Sequence, residues 1–294
     1  MDAVAIINPI SGAGMDPTVA RRRVALLRDE LSRRNLRSEI HLTERAGHAA
    51  ELAAAAAATS TSLVIVWGGD GTLNEVGGAL AGTKTALGLI PAGSGNGLAN
   101  ALNVPRDPMA ALTLALSDRS QVIDVGRLGA RRFLNVAGIG VDARIAILFN
   151  ERAQGSRGRW PYLAIGVAQG FRYTAREYRV QLDGIELRSR ALLIAFANGR
   201  EYGMGAVLAP AAELDDGLLD TFIIEDRSVA ARFWHARHLA RGTVGRAPGV
   251  IQRKVRTAVI ESAEPMEFHV DGEPGCTERR LEVSMMPKAL RVKA

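Results

Sequence analysis

The first part of the chain alternates short apolar runs with helix-like stretches, and this alternation constrains the fold more than any other feature. Strands are predicted at Ala3–Ile7, Glu39–Leu42 and Leu63–Trp67, and helices at Arg21–Arg34 and His48–Ala58. Strands that alternate with helices form parallel sheets covered by helices. The pattern therefore predicts an α/β domain over residues 1–123.

The first predicted helix is amphipathic. Val24, Leu27 and Leu31 share one face, and we expect the arginines of the helix to occupy the opposite, solvent-facing side. This arrangement is typical of a helix whose role is to pack against a sheet.

After Val122 the pattern changes to paired strands with polar turns. Asp183-Gly184 separates the predicted strands Arg179–Leu182 and Glu186–Phe196, as in a hairpin. Later strands are predicted at Lys254–Ile260 and Glu267–Val270. Helices are predicted at Ala143–Glu151, Trp160–Tyr173 and Ser228–Arg241. Residues 124–285 are therefore predicted to form a second, mainly antiparallel β domain with some helices.

Composition limits the function classes. The formal net charge is +6, from 37 basic and 31 acidic residues, which favours anionic partners in general. No long basic run is present, so we expect no nucleic-acid partner. The single Cys276 excludes an internal disulfide and favours a reducing compartment. No secretion signal or membrane span is predicted, so we expect a soluble, cytoplasmic protein.

Three glycine-rich segments follow predicted strands, at 8–14, 68–72 and 91–97. Loops at the carboxyl ends of parallel strands line the ligand crevice of an open sheet, so we expect the three to converge. Glycine lets backbone amides approach phosphate oxygens, and helices predicted to begin at about Leu73 and Ser94 add positive N-terminal ends. The segments predict a phosphate cradle, although tight strand-to-helix turns are the alternative.

Asp70 lies between glycines at the end of an apolar strand, where burial is costly unless the carboxylate meets a cation or hydrogen-bond donors. Beside phosphates, such a carboxylate indicates magnesium. Thr72, Asn74 and Glu75 are also suited to capping the following helix. The chain lacks the G-x-x-x-x-G-K-[ST] loop of P-loop enzymes, and no dinucleotide-binding G-x-G-x-x-G follows the first strand. Glu44, near the end of the second strand, is placed where a ribose-binding acid would lie, so dinucleotide binding stays a weak alternative.

Taken in order, N-P-x-S-G-x-G, G-G-D-G-T-x-N-E-V and P-x-G-S-G-N-x-L-A resemble the diacylglycerol kinase catalytic-domain family, which includes bacterial lipid kinases and sphingosine kinases. Further matches lie at 124–126, 196–199, 216–220 and 269–274. The segment 286–294 resembles a strand that returns to the first domain. The resemblance implies a first domain similar to NAD kinases and phosphofructokinases, and a second domain that is an antiparallel β-sandwich.

The resemblance also implies site residues. In the first domain, ATP is expected to be bound by Asn8, Ser11, Thr43, Gly68, Gly69, Asp70, Gly71, Thr72, Asn74, Glu75, Gly93, Ser94 and Asn96. Asp70 and Asp124 are expected to organise a catalytic Mg²⁺. Gly97 departs from many bacterial diacylglycerol kinases, which carry an acid there, so the assignment of diacylglycerol as the acceptor is weakened.

In the second domain, the family keeps its general base at a segment that matches Asp271–Glu273, and both Asp271 and Glu273 are candidates. From the residues alone, this segment also fits a surface hairpin with solvated acids. A structural Mg²⁺ is implied at Asp216, with the carbonyls of Glu213 and Leu218, although an ordinary turn fits equally well.

Together these patterns predict an enzyme: a lipid kinase that transfers the ATP γ-phosphate to a hydroxyl of a diacylglycerol-like or sphingoid lipid. Two alternatives stay open, namely a kinase of a soluble substrate such as NAD, and a non-catalytic regulator that binds nucleotide or lipid. The segment Ser228–Arg241 mixes Phe233 and Trp234 with arginines, which indicates either peripheral contact with an anionic membrane or an ordinary packing helix. Homodimer formation is left open.

Overall fold

The structure, a computed structural model, describes residues 2–12, 16–151, 165–166, 168–170, 172–203 and 206–294. The chain divides into two compact units. Unit 1 comprises Met1–Val125 and Lys288–Ala294, and unit 2 comprises Gly126–Pro287. The first unit is therefore completed by the last residues of the chain.

Unit 1 is built on a parallel sheet. Its strands are β1 (Ala3–Ile7), β2 (Ser38–Leu42), β3 (Leu63–Gly68) and β4 (Ala86–Pro91). They lie in the order β2-β1-β3-β4, and Val292 at the end of the chain pairs in parallel with Leu87 of β4. Every residue of β1 and β3 is buried, as expected for strands covered on both faces. The predicted α/β architecture is confirmed.

Helices connect these strands. They are α1 (Pro17–Arg33), α2 (His48–Ala58), α3 (Asp70–Leu80), α4 (Gly97–Ala101) and α5 (Pro108–Ala115). The Asp16 side chain caps α1 by accepting the Thr18 N–H at 2.8 Å, with proline at the first helical position. Helix α3 begins at Asp70, earlier than the predicted Leu73. Helix α4 begins at Gly97, later than the predicted Ser94, because Asn96 has a left-handed backbone and delays the helix.

The predicted orientation of α1 was wrong at two positions, Arg23 and Val24. Its buried residues are Ala20, Arg23, Leu27 and Leu31, while Val24 is only half-buried. These positions follow the i, i+3, i+7 spacing of one helical stripe, so an arginine lies on the inward face. The other arginines of the helix are exposed.

Unit 2 is mainly antiparallel. Its strands, with β5 crossing the unit boundary and β17 running into unit 1, are β5 (Gln121–Leu128), β6 (Arg131–Phe133), β7 (Val136–Gly140), β8 (Arg176–Leu182), β9 (Ile185–Ala197), β10 (Glu201–Gly203), β11 (Ala206–Val207), β12 (Leu219–Glu225), β13 (Val250–Val255), β14 (Thr257–Met266), β15 (Phe268–Val270), β16 (Glu273–Pro274) and β17 (Glu278–Val292). The long β9 is central: it pairs with β8 through its first half and with β7 and β12 through its second half.

Two outcomes in unit 2 concern predicted elements. The hairpin turn at Asp183-Gly184 is present, with positive φ at both residues, as a tight two-residue turn requires. The single strand predicted at Lys254–Ile260 is instead two strands, β13 and β14. They separate at Arg256 because the Asp183 carboxylate accepts the N–H groups of Arg256 and Thr257 at 3.0 and 2.8 Å.

Two helices of unit 2 lie wholly within the described residues, α6 (Val141–Glu151) and α7 (Val229–Ala240), and a 3₁₀ turn at Val244–Arg246 follows α7. Of the helix predicted at Trp160–Tyr173, only residues 165–166, 168–170 and 172–173 are described, and all of these except Tyr173 are helical. Across the described part of the chain, no helix combines the length and apolar character needed to cross a bilayer.

Candidate active site

The three glycine-rich segments follow β1, β3 and β4, which are adjacent strands of the parallel sheet. Hydrogen bonds join them at the carboxyl ends of those strands. The Asn8 N–H donates to the Trp67 carbonyl at 2.9 Å, the Asn8 side chain donates to the Thr72 hydroxyl at 2.8 Å, and the Ala92 N–H donates to the Gly68 carbonyl at 2.8 Å. The predicted convergence of the three loops is therefore present within unit 1.

Two of the glycines are required because the loops touch one another. A Cβ at Gly12, whose φ is +72°, would lie 2.3 Å from the Ala92 carbonyl oxygen. A Cβ at Gly95 would lie 2.7 Å from a carboxylate oxygen of Asp70. Both distances are well inside van der Waals contact. A side chain at Gly12 would force the first and third loops apart, and one at Gly95 would displace the Asp70 carboxylate.

Asp70 links the second loop to the third. Its Oδ2 accepts the Asn96 N–H and its Oδ1 accepts the Gly97 N–H, each at 2.8 Å. The Asn96 side chain in turn closes on Gly93, accepting its N–H and donating to its carbonyl, both at 2.8 Å. The carboxylate therefore has the donors that its half-buried position demands, and each oxygen keeps a further lone pair.

Arg23 of α1 binds the backbone of the first glycine-rich loop. Its guanidinium donates to the Asn8 carbonyl at 3.0 Å and to the Ser11 carbonyl at 2.7 Å, and it lies 5.4 Å from the centre of the Trp67 ring. Only 7% of Arg23 is exposed, and this burial lowers the pKa of the guanidinium. Arg23 was not predicted as a site residue from the sequence. The signal that could have identified it is its position on the same helical stripe as Ala20 and Leu27.

Other predicted nucleotide residues have defined places. Glu75 accepts the N–H groups of Gly47 and Ala49 at 2.8 and 3.1 Å, so it caps α2, which has no capping side chain of its own. Thr43 follows β2 and donates its N–H to the Ile7 carbonyl at 2.9 Å. Ser94 is exposed, and the Ser11 hydroxyl is buried without a hydrogen-bond partner among the described residues.

In unit 2, Asp271 and Gly272 form the turn between β15 and β16, with φ of +48° and +83°. The Asp271 carboxylate accepts three backbone N–H groups, from Leu134 at 2.7 Å, Asn135 at 2.9 Å and Val136 at 2.8 Å. The Asp271 N–H also donates to the Val136 carbonyl at 2.8 Å. This acid therefore fixes the turn to the start of β7.

Beneath the turn lies a buried pair that sequence reasoning missed. The ring of His269 contacts Asp142 Oδ2 at 3.0 Å through Nε2, and its Nδ1 accepts the Gly272 N–H at 3.2 Å. Nδ1 is thus an acceptor, so Nε2 carries the proton and donates it to Asp142. The two side chains are 5% and 3% exposed. A Cβ at Gly138 would lie 1.7 Å from Asp142 Oδ2, so the glycine makes room for the pair.

Glu273 differs from Asp271 in its surroundings. Its side chain is exposed, whereas Asp271 is half-buried. The main chain at this point is held by Arg131, which donates to the carbonyls of Glu273 and Pro274 at 3.1 and 2.6 Å. The Glu273 carboxylate therefore faces solvent, whereas the Asp271 carboxylate accepts hydrogen bonds from the backbone.

The residues expected to hold metal ions differ in how well they suit a cation. Asp124 is fully buried, and its Oδ1 accepts the Lys288 N–H at 2.6 Å. Asp216 Oδ2 lies 2.5 Å from the Lys254 ammonium, which is 3.7 Å from Asp220. The hydrogen bond to Asp216 raises the pKa of Lys254. An ammonium already supplies positive charge beside Asp216, which disfavours a second cation there; the structural Mg²⁺ implied with Glu213 and Leu218 stays a prediction.

Comparison with known proteins agrees with this geometry. The diacylglycerol kinase catalytic domain matches residues 2–128, and the YegS C-terminal NAD kinase beta sandwich-like domain matches residues 135–294. The chain belongs to the diacylglycerol kinase catalytic-domain family. The resemblance and the two-domain fold class predicted from the sequence are thereby confirmed.

Relatives and solved structures of this family cover nearly the whole chain. "Probable lipid kinase YegS-like" of Klebsiella pneumoniae is 30% identical over 285 residues, which is 96% of this chain and 93% of that protein. A protein of the same name from Pseudomonas aeruginosa is 31% identical, covering 86% of this chain and 83% of its own.

Among solved structures, a diacylglycerol kinase from Bacillus anthracis has a TM-score of 0.73 at 20% identity, covering 99% of this chain and 96% of that one. An NAD kinase from Archaeoglobus fulgidus in complex with ATP has a TM-score of 0.54 at 14% identity, covering 99% and 93%. At these identities the likeness shows a shared fold.

The lysine at Asp216 leads to a prediction about metal removal. We expect the melting temperature of the wild-type protein to stay unchanged when a chelator replaces millimolar Mg²⁺, because Lys254 already neutralises Asp216. The Lys254→Met variant should melt several degrees lower, because the buried Asp220 and the nearby Asp216 lose the ammonium group that neutralises them. Differential scanning calorimetry at pH 7 measures both. A wild-type melting temperature that falls on chelation, in a way that disappears in Asp216→Asn, would contradict this reading.

Proposed function

We propose that this protein is an ATP-dependent lipid kinase that transfers the γ-phosphate to a hydroxyl of a diacylglycerol-like or sphingoid lipid. The observation that carries the proposal is the joining of three glycine-rich loops, through Asp70 and Asn8, at the carboxyl edge of a parallel sheet. Membership of a kinase family supports phosphoryl transfer. The names of the relatives, probable lipid kinases, support a lipid acceptor.

In this proposal unit 1 binds ATP. The N–H groups in the first turn of α3 carry the positive end of the helix dipole, which favours phosphate. The buried Ser11 hydroxyl offers a donor close to the same loops, and Arg23 holds the Ser11 carbonyl behind it. Thr72 and Glu75 are assigned supporting roles, since they bind Asn8 and the start of α2.

The carboxylate of Asp70 suits a magnesium ion, because its oxygens keep lone pairs and hard cations prefer oxygen ligands. When bound, the ion would supply charge neutralisation for the triphosphate. Asp124 is fully buried and accepts a backbone N–H, so we assign it a role in positioning the backbone. The magnesium assignment is therefore carried by Asp70.

We propose Glu273 as the general base. Asp271 already accepts three N–H groups, and transfer of a proton to it would weaken those charge-assisted hydrogen bonds. Glu273 is exposed on the same turn. Its carboxylate takes the hydroxyl proton as the acceptor oxygen forms a bond to the γ-phosphorus and the bond to the β-phosphate oxygen breaks, which releases ADP.

The two acids of the turn can be separated by substitution. Glu273→Gln should lower kcat about 100-fold or more with little change in stability, because the side chain is exposed and the general base is lost. Asp271→Asn should instead lower the free energy of unfolding by about 1–3 kcal/mol, because the amide group faces backbone N–H donors. Steady-state kinetics and urea unfolding of both variants provide the comparison. Unchanged kcat in a folded Glu273→Gln protein would remove Glu273 from this role.

The proposed function is tested by incubating the purified protein with γ-labelled ATP and Mg²⁺. Parallel reactions contain diacylglycerol, a sphingoid base, a lipid extract or NAD as the acceptor. We expect the label in an organic-soluble product. Label in NAD alone would establish a soluble-substrate kinase, and binding of ATP without transfer to any acceptor would favour a non-catalytic regulator.

A lipid acceptor also implies a place of action. The acceptor resides in a bilayer and ATP is supplied in the cytoplasm, so we propose a cytoplasmic enzyme that makes peripheral contact with an anionic membrane surface.

A further inference from the structure

Helix α7 in unit 2 presents an unusual exposed face. Val229, Phe233 and Trp234 are 61%, 63% and 57% exposed. Among the described residues seven large hydrophobic side chains are exposed, and these three lie within six consecutive positions. Scattered apolar residues on a surface are ordinary, but a cluster that includes two aromatic rings marks an interaction site.

Cations share this face. Val229, Phe233, Arg237 and Arg241 recur at intervals of four residues and therefore lie along one side of the helix. The Arg237 guanidinium lies 6.0 Å from the centre of the Trp234 ring. Residues 229–240 contain no aspartate or glutamate, so no carboxylate of the helix opposes an anionic partner.

The opposite side of α7 is fixed to unit 2. Arg232 pairs with Asp226 at 2.9 Å and donates to the carbonyls of Gly170 and Tyr173, each at 3.1 Å. His235, which is buried, contacts the Pro248 carbonyl through Nε2 at 2.9 Å. The helix is thus anchored by polar contacts on one side while its aromatic side remains exposed.

We infer that the exposed face of α7, formed by Val229, Phe233, Trp234, Arg237 and Arg241, docks the protein on an anionic lipid bilayer. Aromatic side chains prefer the headgroup region, where an apolar body and a polar edge are both satisfied. Arginine guanidinium groups beside them pair with lipid phosphates. A protein partner of the usual kind would require complementary acids and a shaped surface, whereas a bilayer supplies apolar depth and negative charge together.

The surface has a clear use if the proposed function holds, because it would bring the enzyme to its lipid acceptor. Membrane binding itself does not depend on catalysis. It can therefore be measured without ATP, and the two proposals can fail separately.

The test is sedimentation of the whole protein with vesicles of phosphatidylcholine, with or without phosphatidylglycerol. The wild-type protein should bind the anionic vesicles and bind neutral ones at least tenfold more weakly, with affinity falling as salt rises. The double variant Phe233→Ala/Trp234→Ala should lose about tenfold or more in affinity for anionic vesicles. Arg237→Gln/Arg241→Gln should lower affinity and reduce the salt dependence.

A matched control is available in unit 2. Ile185 is 57% exposed, the same fraction as Trp234, but lies at the start of β9 away from the α7 sequence. Ile185→Ala should bind anionic vesicles as the wild-type protein does. Equal binding by the Phe233→Ala/Trp234→Ala variant, or no binding to either vesicle, would overturn the inference.

A spectroscopic measurement locates the contact. Lipids with brominated acyl chains should quench tryptophan fluorescence in the wild-type protein, and Trp234→Phe should abolish most of this quenching. Quenching that persists in the variant would place the contact elsewhere. If lipid in detergent micelles is phosphorylated while vesicle binding is absent, the docking surface is wrong and the kinase proposal stands. If the protein binds vesicles but phosphorylates no lipid, the docking surface stands and the kinase proposal is wrong.

Discussion

The hydrogen bonds from the N–H groups of Asn96 and Gly97 to the Asp70 carboxylate are the interaction on which the arrangement of the glycine-rich loops in unit 1 depends. Asp70 begins α3 after β3, and its two acceptors hold the loop after β4 against it. Since Asn8 reaches Thr72 in the first turn of that helix, the loop after β1 joins the same assembly. One carboxylate thereby sets the separation of segments that are distant in sequence.

In unit 2, carboxylates also hold loops in place by accepting hydrogen bonds. Asp271 collects three backbone N–H groups at the start of β7, and Asp142 accepts from His269, which accepts from Gly272. Buried carboxylates require such donors, and a turn held from two sides is rigid. Rigidity of this kind is what a positioned general base needs, because catalysis of phosphoryl transfer rests mainly on placement and electrostatics.

The alternation of strands and helices in residues 1–123 and the hairpin pattern after Val122 were sufficient to predict an α/β domain followed by a mainly antiparallel one, whereas the β-sandwich was implied by the family resemblance. The glycine-rich segments also predicted which strand ends meet. Burial of Arg23 was missed because an arginine-rich helix predicts an exposed face for every arginine. The His269–Asp142 pair was missed because its members are 127 residues apart and meet only when β15 lies beside β7. Pairings created by tertiary structure leave no local pattern to recognise.

The central claim, that contact between the second and third loops forms the ATP site, is tested most directly by calorimetric titration of ATP into Gly95→Ala. A Cβ at this position would lie 2.7 Å from Asp70 Oδ2 and must move the carboxylate whose hydrogen bonds to Asn96 and Gly97 join the two loops. We expect at least tenfold weaker ATP binding in a variant that keeps its circular dichroism spectrum. Unchanged ATP affinity in the folded variant would contradict it.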